Sequence, residues 1–140
     1  MADVSITAAN VRKGTGAAVE TRYAAGESVT AGQAVYQKST DGKWWRAQCD
    51  GTAEESGSGV LTGVALHASG ADQPLAVQTG GEITIGGTVI AGTEYVVSAT
   101  AGGIAPHADL VSTNKYTRLG YATTSAILQL DISATGIVIP

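Results

Sequence analysis

The stretch "SVTAGQAVYQ" at residues 28–37 has an echo sixty residues on, "TVIAGTEYVV" at residues 88–97. In each, a valine is followed by one spacer, then Ala-Gly, then a short run rich in Val and Tyr. Glycine after a small residue suits a tight turn that needs positive φ. The apolar run after it suits a strand, because branched and aromatic side chains fit a pleated surface. Each phrase therefore reads as a strand entry, and a strand entry written twice predicts a duplicated β fold.

The echo extends outward. At the same offset Val29, Ala31, Gly32, Thr40 and Gly42 meet Val89, Ala91, Gly92, Thr100 and Gly102. Composition alone would give about two such matches in a window of this size. "GVA" at residues 63–65 then corresponds to "GYA" at residues 120–122. "LAVQTGGEITI" at residues 75–85 lies against "LQLDISATGIVI" at residues 128–139, with one inserted residue. The order strand, turn, strand, Gly-x-Ala strand, closing pair thus recurs. The pseudo-repeats cover about 25–86 and 87–140. Each holds about five strands, too few to bury a face alone. Packed together they hide one another's edges.

Further along the chain, "AVYQ", "LAVQT", "EITIG", "EYVVSA" and "AILQLDI" all read as strands. Asp41-Gly42, Gly80-Gly81 and Gly102-Gly103 read as hairpin turns between them. Residues 105–116 have room for one short helical turn, and no window has ten residues of capped helical periodicity. The expected fold is all-β: a compact barrel or sandwich of the β-clip or β-tulip kind, with about ten short strands. Residues 17–140 form a single domain on this reading. Residues 1–16 form an N-terminal arm, with Val4, Ile6 and Val11 as its apolar side chains. The arm has no counterpart in the second half, so it is either loose or used to reach a neighbour by adding a strand.

Among the 140 residues, 44% are hydrophobic and only 14% charged. A free-standing soluble domain averages about 25% charged. Low charge fits a surface part of which meets a partner. The net charge is -4, and the eight Lys and Arg are scattered, with Arg12-Lys13 their only adjacent pair. This excludes a phosphate-tracking stripe and argues against a nucleic-acid partner. The apolar runs are too short to span a bilayer as helices, so no membrane is expected. The N-terminus does not read as a secretory signal. One cysteine, Cys49, cannot form an intramolecular disulfide.

No reactive constellation stands out. His67 and His107 do not occupy equivalent places in the halves, and metal ligation needs clustered donors. Hence no metal site and no cofactor is expected. "ESGSGV" at residues 55–60 lacks the strand–elbow–helix setting of a nucleophilic serine. Cys49 beside Asp50 has its thiolate disfavoured. Glu54-Glu55 sit among Gly, Ser and Thr and read as a solvated loop. The chain is not expected to be an enzyme. Trp44-Trp45 is the pair of most interest. Neighbours on a strand point to opposite faces, so one tryptophan anchors the core and the other faces outward. The outward one would stack on a sugar or anchor a protein interface.

"AGESVTAGQAVYQ" (residues 25–37) with "DGKW" (41–44), then "GVAL" (63–66) with "ADQPLAVQTGGEITIG" (71–86), then "AGTEYVVSATAGGIAP" (91–106), resembles the head decoration, or capsid cement, proteins of tailed bacteriophages. The resemblance spans roughly residues 24–139 and rests on glycine–valine spacings. It implies a β-rich protein that binds the outer surface of the major capsid protein lattice and stabilises the mature head. It implies a homotrimer, located on the virion capsid surface after assembly in the host cytoplasm. It carries no catalytic residue. The expected contacts to capsid or subunit are Val4, Ile6, Val11, Trp44 and Trp45. The alternative is a carbohydrate-binding or adhesin-like module on the virion surface, built on the tryptophans.

Overall fold

A computed structural model describes residues 3–140. Ten antiparallel strands form one curled, half-barrel sheet. They are β1 (Arg12–Lys13), β2 (Ala18–Glu20), β3 (Ala34–Gln37), β4 (Trp44–Arg46), β5 (Thr62–Ala65), β6 (Val77–Thr84), β7 (Glu94–Val97), β8 (Ile104–Pro106), β9 (Lys115–Ala122) and β10 (Ile127–Val138). Among the described residues the only helical pieces are single 3-10 turns at Ala8–Asn10 and His107–Asp109. The second of these lies in the window expected to hold one. The chain is all-β, as its patterning predicts.

Strand neighbours run β4-β3-β5-β6-β10-β9-β7-β8. The first half gives the order β4-β3-β5-β6, and the second gives β8-β7-β9-β10. The halves meet where β6 pairs with β10, Ile83 opposite Leu128. The echoed phrase is the same turn in both. Gly32 has φ +88° and Gly92 φ +85°. The Gln33 amide donates to the Thr30 carbonyl, and the Thr93 amide to that of Ile90. Gly32 and Ala65 are tied by the bonds Gly32 N to Ala65 O and Ala65 N to Gln33 O. Gly92, Ala122 and Thr93 repeat the arrangement. The Gly-x-Ala strands need their glycines for close approach: a Cβ on Gly63 or Gly120 would run into the backbone carbonyl of Gln78 or Gln129.

Two details differ from the sequence reading. Gly80-Gly81 is a bend inside β6 and not a hairpin, so "LAVQT" and "EITIG" are largely one strand. Gly81 takes φ +81°, and a Cβ there would collide with the Gly16 backbone that crosses it. The closing strands also register differently from the sequence alignment. Ala65 faces Val77 as Ala122 faces Leu128, which makes Val77 and not Leu75 the match of Leu128. The slip of two keeps every inward side chain inward, so apolar pattern alone cannot detect it.

Core packing shows how the halves join. One cluster holds Ala25, Val29, Val35, Trp44, Ala65, Leu75 and Val77. At the repeat's spacing, six of these correspond to Ile85, Val89, Tyr95, Ile104, Ala122 and Leu128, all in the larger cluster. So each half has its own small core on the same face of its strands. The larger cluster also takes in Ala34, Tyr36, Ala47, Cys49 and Val64 from the opposite face of the first half. The first half thus lays its back against the second half. Backbone bonds seal the joint: Ala34 N to Gly102 O at 2.9 Å, Gly102 N to Ala47 O at 2.8 Å, Cys49 N to Ser98 O at 2.9 Å, and Lys115 N to Cys49 O at 2.8 Å.

Candidate interaction surface

The N-terminal segment is neither loose nor extended toward a neighbour; it is built into its own domain. Residues 12–20 run antiparallel along β6, from Arg12 opposite Thr84 to Glu20 opposite Val77. Upstream, the Val4 amide donates to the Ile104 carbonyl and the Thr7 amide to that of Gly86, both at 2.8 Å. In the first half the carbonyl equivalent to that of Ile104, Trp44 O, accepts directly from Gly26 N. Residues 4–7 are therefore a wedge in the second half with no equivalent in the first. Gly86-Gly87 exist for that wedge: a Cβ on Gly86 would lie 2.6 Å from the Thr7 carbonyl oxygen, and one on Gly87 would strike that of Ser5. Val11 is buried in the core, with Val4 and Ile6 packed half-buried against it. These three apolar side chains are spent inside the molecule and offer little to a partner.

The tryptophans divide as alternation requires. Trp44 is 0% exposed and meets Tyr23 edge-on, with ring centroids 6.4 Å apart. It is a core anchor and is corrected out of any surface contact. Trp45, on the opposite face, is half-buried in a shallow groove of about 530 Å³ with Glu27, Arg46 and Glu55. Its indole lies against Gly26, whose missing Cβ leaves the room, and the Lys38 ammonium sits 4.6 Å from the ring centroid. Its Nε1 donates to Asp41 at 3.1 Å. A ring contacted by a backbone on one part, capped by a cation and tied at its N–H has little free face for a sugar.

Around this groove the carboxylates brace turns. Glu54 accepts from the Ser39 amide and hydroxyl at 2.6 and 2.8 Å, and these bonds hold its carboxyl below the usual range. Glu27 accepts from both the backbone and the guanidinium of Arg46. The Tyr36 hydroxyl, buried beside this acidic rim, is pushed up to about 12. Cys49 is buried and its thiol is pushed up to about 11, by burial first and by Asp50 second. A neutral, enclosed thiol is a packing group and not a nucleophile. No three His, Cys, Asp or Glu among the described residues are placed to share a metal ion. Among the described residues no helix is long and apolar enough to cross a membrane.

The residues that sequence reasoning missed lie at the far end of β10. Ile137 and Val138 are 57% and 51% exposed, and Val111 is 61% exposed. The turn carrying Val111 is tied to the strand's end, with Thr113 N donating to Ile139 O and Ile139 N to Asn114 O. Ala134 borders a shallow concavity of about 620 Å³ whose other walls are the end of the β3–β4 hairpin, with Lys38, and the loop Gly57 to Leu61. The signal was present in "ATGIVIP": three apolar residues without alternation, on a strand that has only one neighbour there. No protein-family model, curated protein or solved structure matches the chain.

Proposed function

We propose that this chain is a decoration protein of a bacteriophage head, which binds the outer surface of the major capsid protein lattice and reinforces it. The observation that supports this reading is the placing of its exposed apolar residues. A charge-poor β body leaves seven large apolar side chains exposed, and three of them, Val111, Ile137 and Val138, lie together where the turn after β8 is tied to the end of β10; Val19, Leu61, Ile90 and Tyr121 are the others. Exposed apolar patches on compact proteins mark contact with other proteins. The glycine–valine phrases, which resemble those of cement proteins, favour the same reading. A protein that binds only the assembled lattice shifts the equilibrium toward the closed shell by mass action. Many identical copies make modest contacts effective. The sugar-binding alternative has less support, because Trp44 is in the core and Trp45 is half-buried, with Lys38 over its ring and its N–H tied to Asp41.

The test is co-sedimentation with purified, expanded capsids that lack the protein. Saturable binding with a fixed ratio to the capsid subunit is expected, and a Val111→Asp variant should bind at least tenfold more weakly. A protein that stays in the supernatant at micromolar concentration would overturn the reading. A glycan array with specific hits abolished by Trp45→Ala would overturn it in favour of the alternative.

A further inference from the structure

Strand β6 and strand β10 are equivalent, and their outer edges are treated differently. Gln78 has Val64 of β5 on one side and Val19 of β2 on the other. Ile83 has Leu128 on one side and Lys13 on the other. Residues 12–20 therefore cover the edge of β6 away from β5 along its whole length. In the second half, β9 lines one edge of β10 from Leu128 to Val138. The other edge is covered by β6 only from Ile127 to Leu130. Beyond Leu130, no strand among the described residues lies on that edge. The fold itself shows what an equivalent edge takes: an extended, antiparallel strand.

We infer that the outer edge of β10 between Ser133 and Val138 pairs with the same edge of a second copy of this chain, across a local two-fold axis. Unpaired N–H and C=O groups on a strand edge recruit another strand. Soluble proteins usually blunt such edges with lysine or other charge. Residues 132–140 contain no ionisable side chain at all. Two copies brought edge to edge therefore meet without like-charge repulsion, and a charged partner strand would gain nothing. Asp131, the nearest charge along the strand, is already neutralised by Arg118, its carboxylate 3.2 Å from the guanidinium. The concavity between Ala134 and the loop Gly57 to Leu61, with Lys38 on its far wall, leaves room for a second backbone beside the edge. Ile137 and Val138 would bury against the copy, which leaves Val111 as the exposed apolar side chain at this end for the capsid. Two bulges, between Leu130 and Ser133 and between Ala134 and Ile137, interrupt the ladder, so an incoming strand has only two short uninterrupted stretches to pair with, Ser133–Ala134 and Ile137–Val138. An isologous seam closes at two copies; a three-fold ring needs a heterologous one.

The inference deepens the decoration reading by naming a subunit contact, and its test does not involve the capsid. Light scattering of the full chain across a hundredfold concentration range should move from 14.0 kDa to twice that mass. Hydrogen exchange should show the amides of residues 133–138 protected only in the concentrated sample. Ile137→Lys and Val138→Lys should each raise the dimer dissociation constant at least tenfold with an unchanged circular dichroism spectrum. A monomer or trimer at every concentration would overturn the inference, as would a dimer whose residues 133–138 still exchange freely. The wild-type exchange measurement decides the matter even where a variant fails to fold. A monomer that binds capsids would sink only the seam; a dimer that never binds them would sink only the decoration reading.

Discussion

The backs of the two halves are made from the same strands and have opposite chemistry. In the first half the back carries Ala34, Tyr36, Ala47, Cys49 and Val64, all buried against the second half. At the equivalent places the second half has Glu94, Val96, His107, Asp109 and Tyr121, of which only Val96 is buried. There the Tyr116 hydroxyl donates to Glu94, whose other oxygen lies 3.2 Å from His107 Nδ1. Tyr121 stands open to solvent. The difference teaches that the duplication supplies the strand frame, while side chains at matched positions decide which face is interior. One face was recruited as a joint and made small and apolar; its twin was left wet.

The sharpest way to break this comparison is to write one half's residue into the other. Ala34→Glu places a carboxylate at a site with 0% exposure. An unpaired buried charge costs several kcal/mol, enough to consume most of a small domain's stability. The variant is expected not to fold, or to fold only with a strongly raised carboxyl pKa. The reciprocal Glu94→Ala removes a half-exposed hydrogen-bonded acid and should cost no more than about 1 kcal/mol. Denaturant midpoints of the two variants measure the contrast. Equal losses would show that the two backs are not the interior and exterior faces described.

Deleting residues 2–12 comes next. The segment carries Val11 into the core and wedges between Gly86 and Ile104, so its loss uncovers Ile85 and Ile104. A loss on the order of 3 kcal/mol is expected from the apolar area alone. The deletion therefore reports on stability before it reports on any partner. A truncated protein with an unchanged melting curve would show the wedge to be dispensable. Trp44→Ala should cost about 3–5 kcal/mol as a large-to-small core change, and Trp45→Ala roughly a third of that. Thermal melts of the pair would separate anchor from groove wall.

How much of this was legible beforehand follows from what each signal depends on. The repeated turn was legible at Ala31-Gly32 and Ala91-Gly92, because positive φ after a short spacer is a local demand that glycine alone meets cheaply. The alternation of Trp44 and Trp45 was legible because a strand has period two. Which of the two faced inward was not, since both faces of β3–β4 are covered. Val4, Ile6 and Val11 looked like a free arm because nothing in their own neighbourhood reveals that Gly86-Gly87, eighty residues away, opens a slot for them. The bare edge of β10 was hidden for the same reason: "SATGIVIP" shows an apolar strand, but only topology shows that it has one neighbour.

Alkaline pH gives a smaller, signed effect. Burial raises the Cys49 thiol from 9.0 to about 11 in the folded chain. Between those values the unfolded chain has lost its proton and the folded chain keeps it. Stability is complete below pH 9 and falls as pH climbs to 11, by on the order of 2 kcal/mol. Tyr36, raised from 10.0 to about 12, extends the loss upward. Melting temperature followed from pH 8 to 12 should fall over this window, and Cys49→Ala should flatten its lower part.

The smallest expected effects lie in the opening phrase and its echo. Gly32 and Gly92 hold the same turn at nearly the same φ, so an alanine at either pays the same left-handed strain of about 1 kcal/mol. Their surroundings differ. A Cβ on Gly92 meets nothing within 4 Å, whereas one on Gly32 would lie 2.6 Å from Ile6 Cγ2 and 3.1 Å from Val11 Cγ2. Gly32→Ala should therefore cost about twice as much as Gly92→Ala in urea unfolding. The excess measures the pressure of the N-terminal wedge on the first turn. In a chain lacking residues 2–12 the excess should vanish, leaving the two glycines equal. If it persists there, something other than the wedge distinguishes the two copies of the phrase.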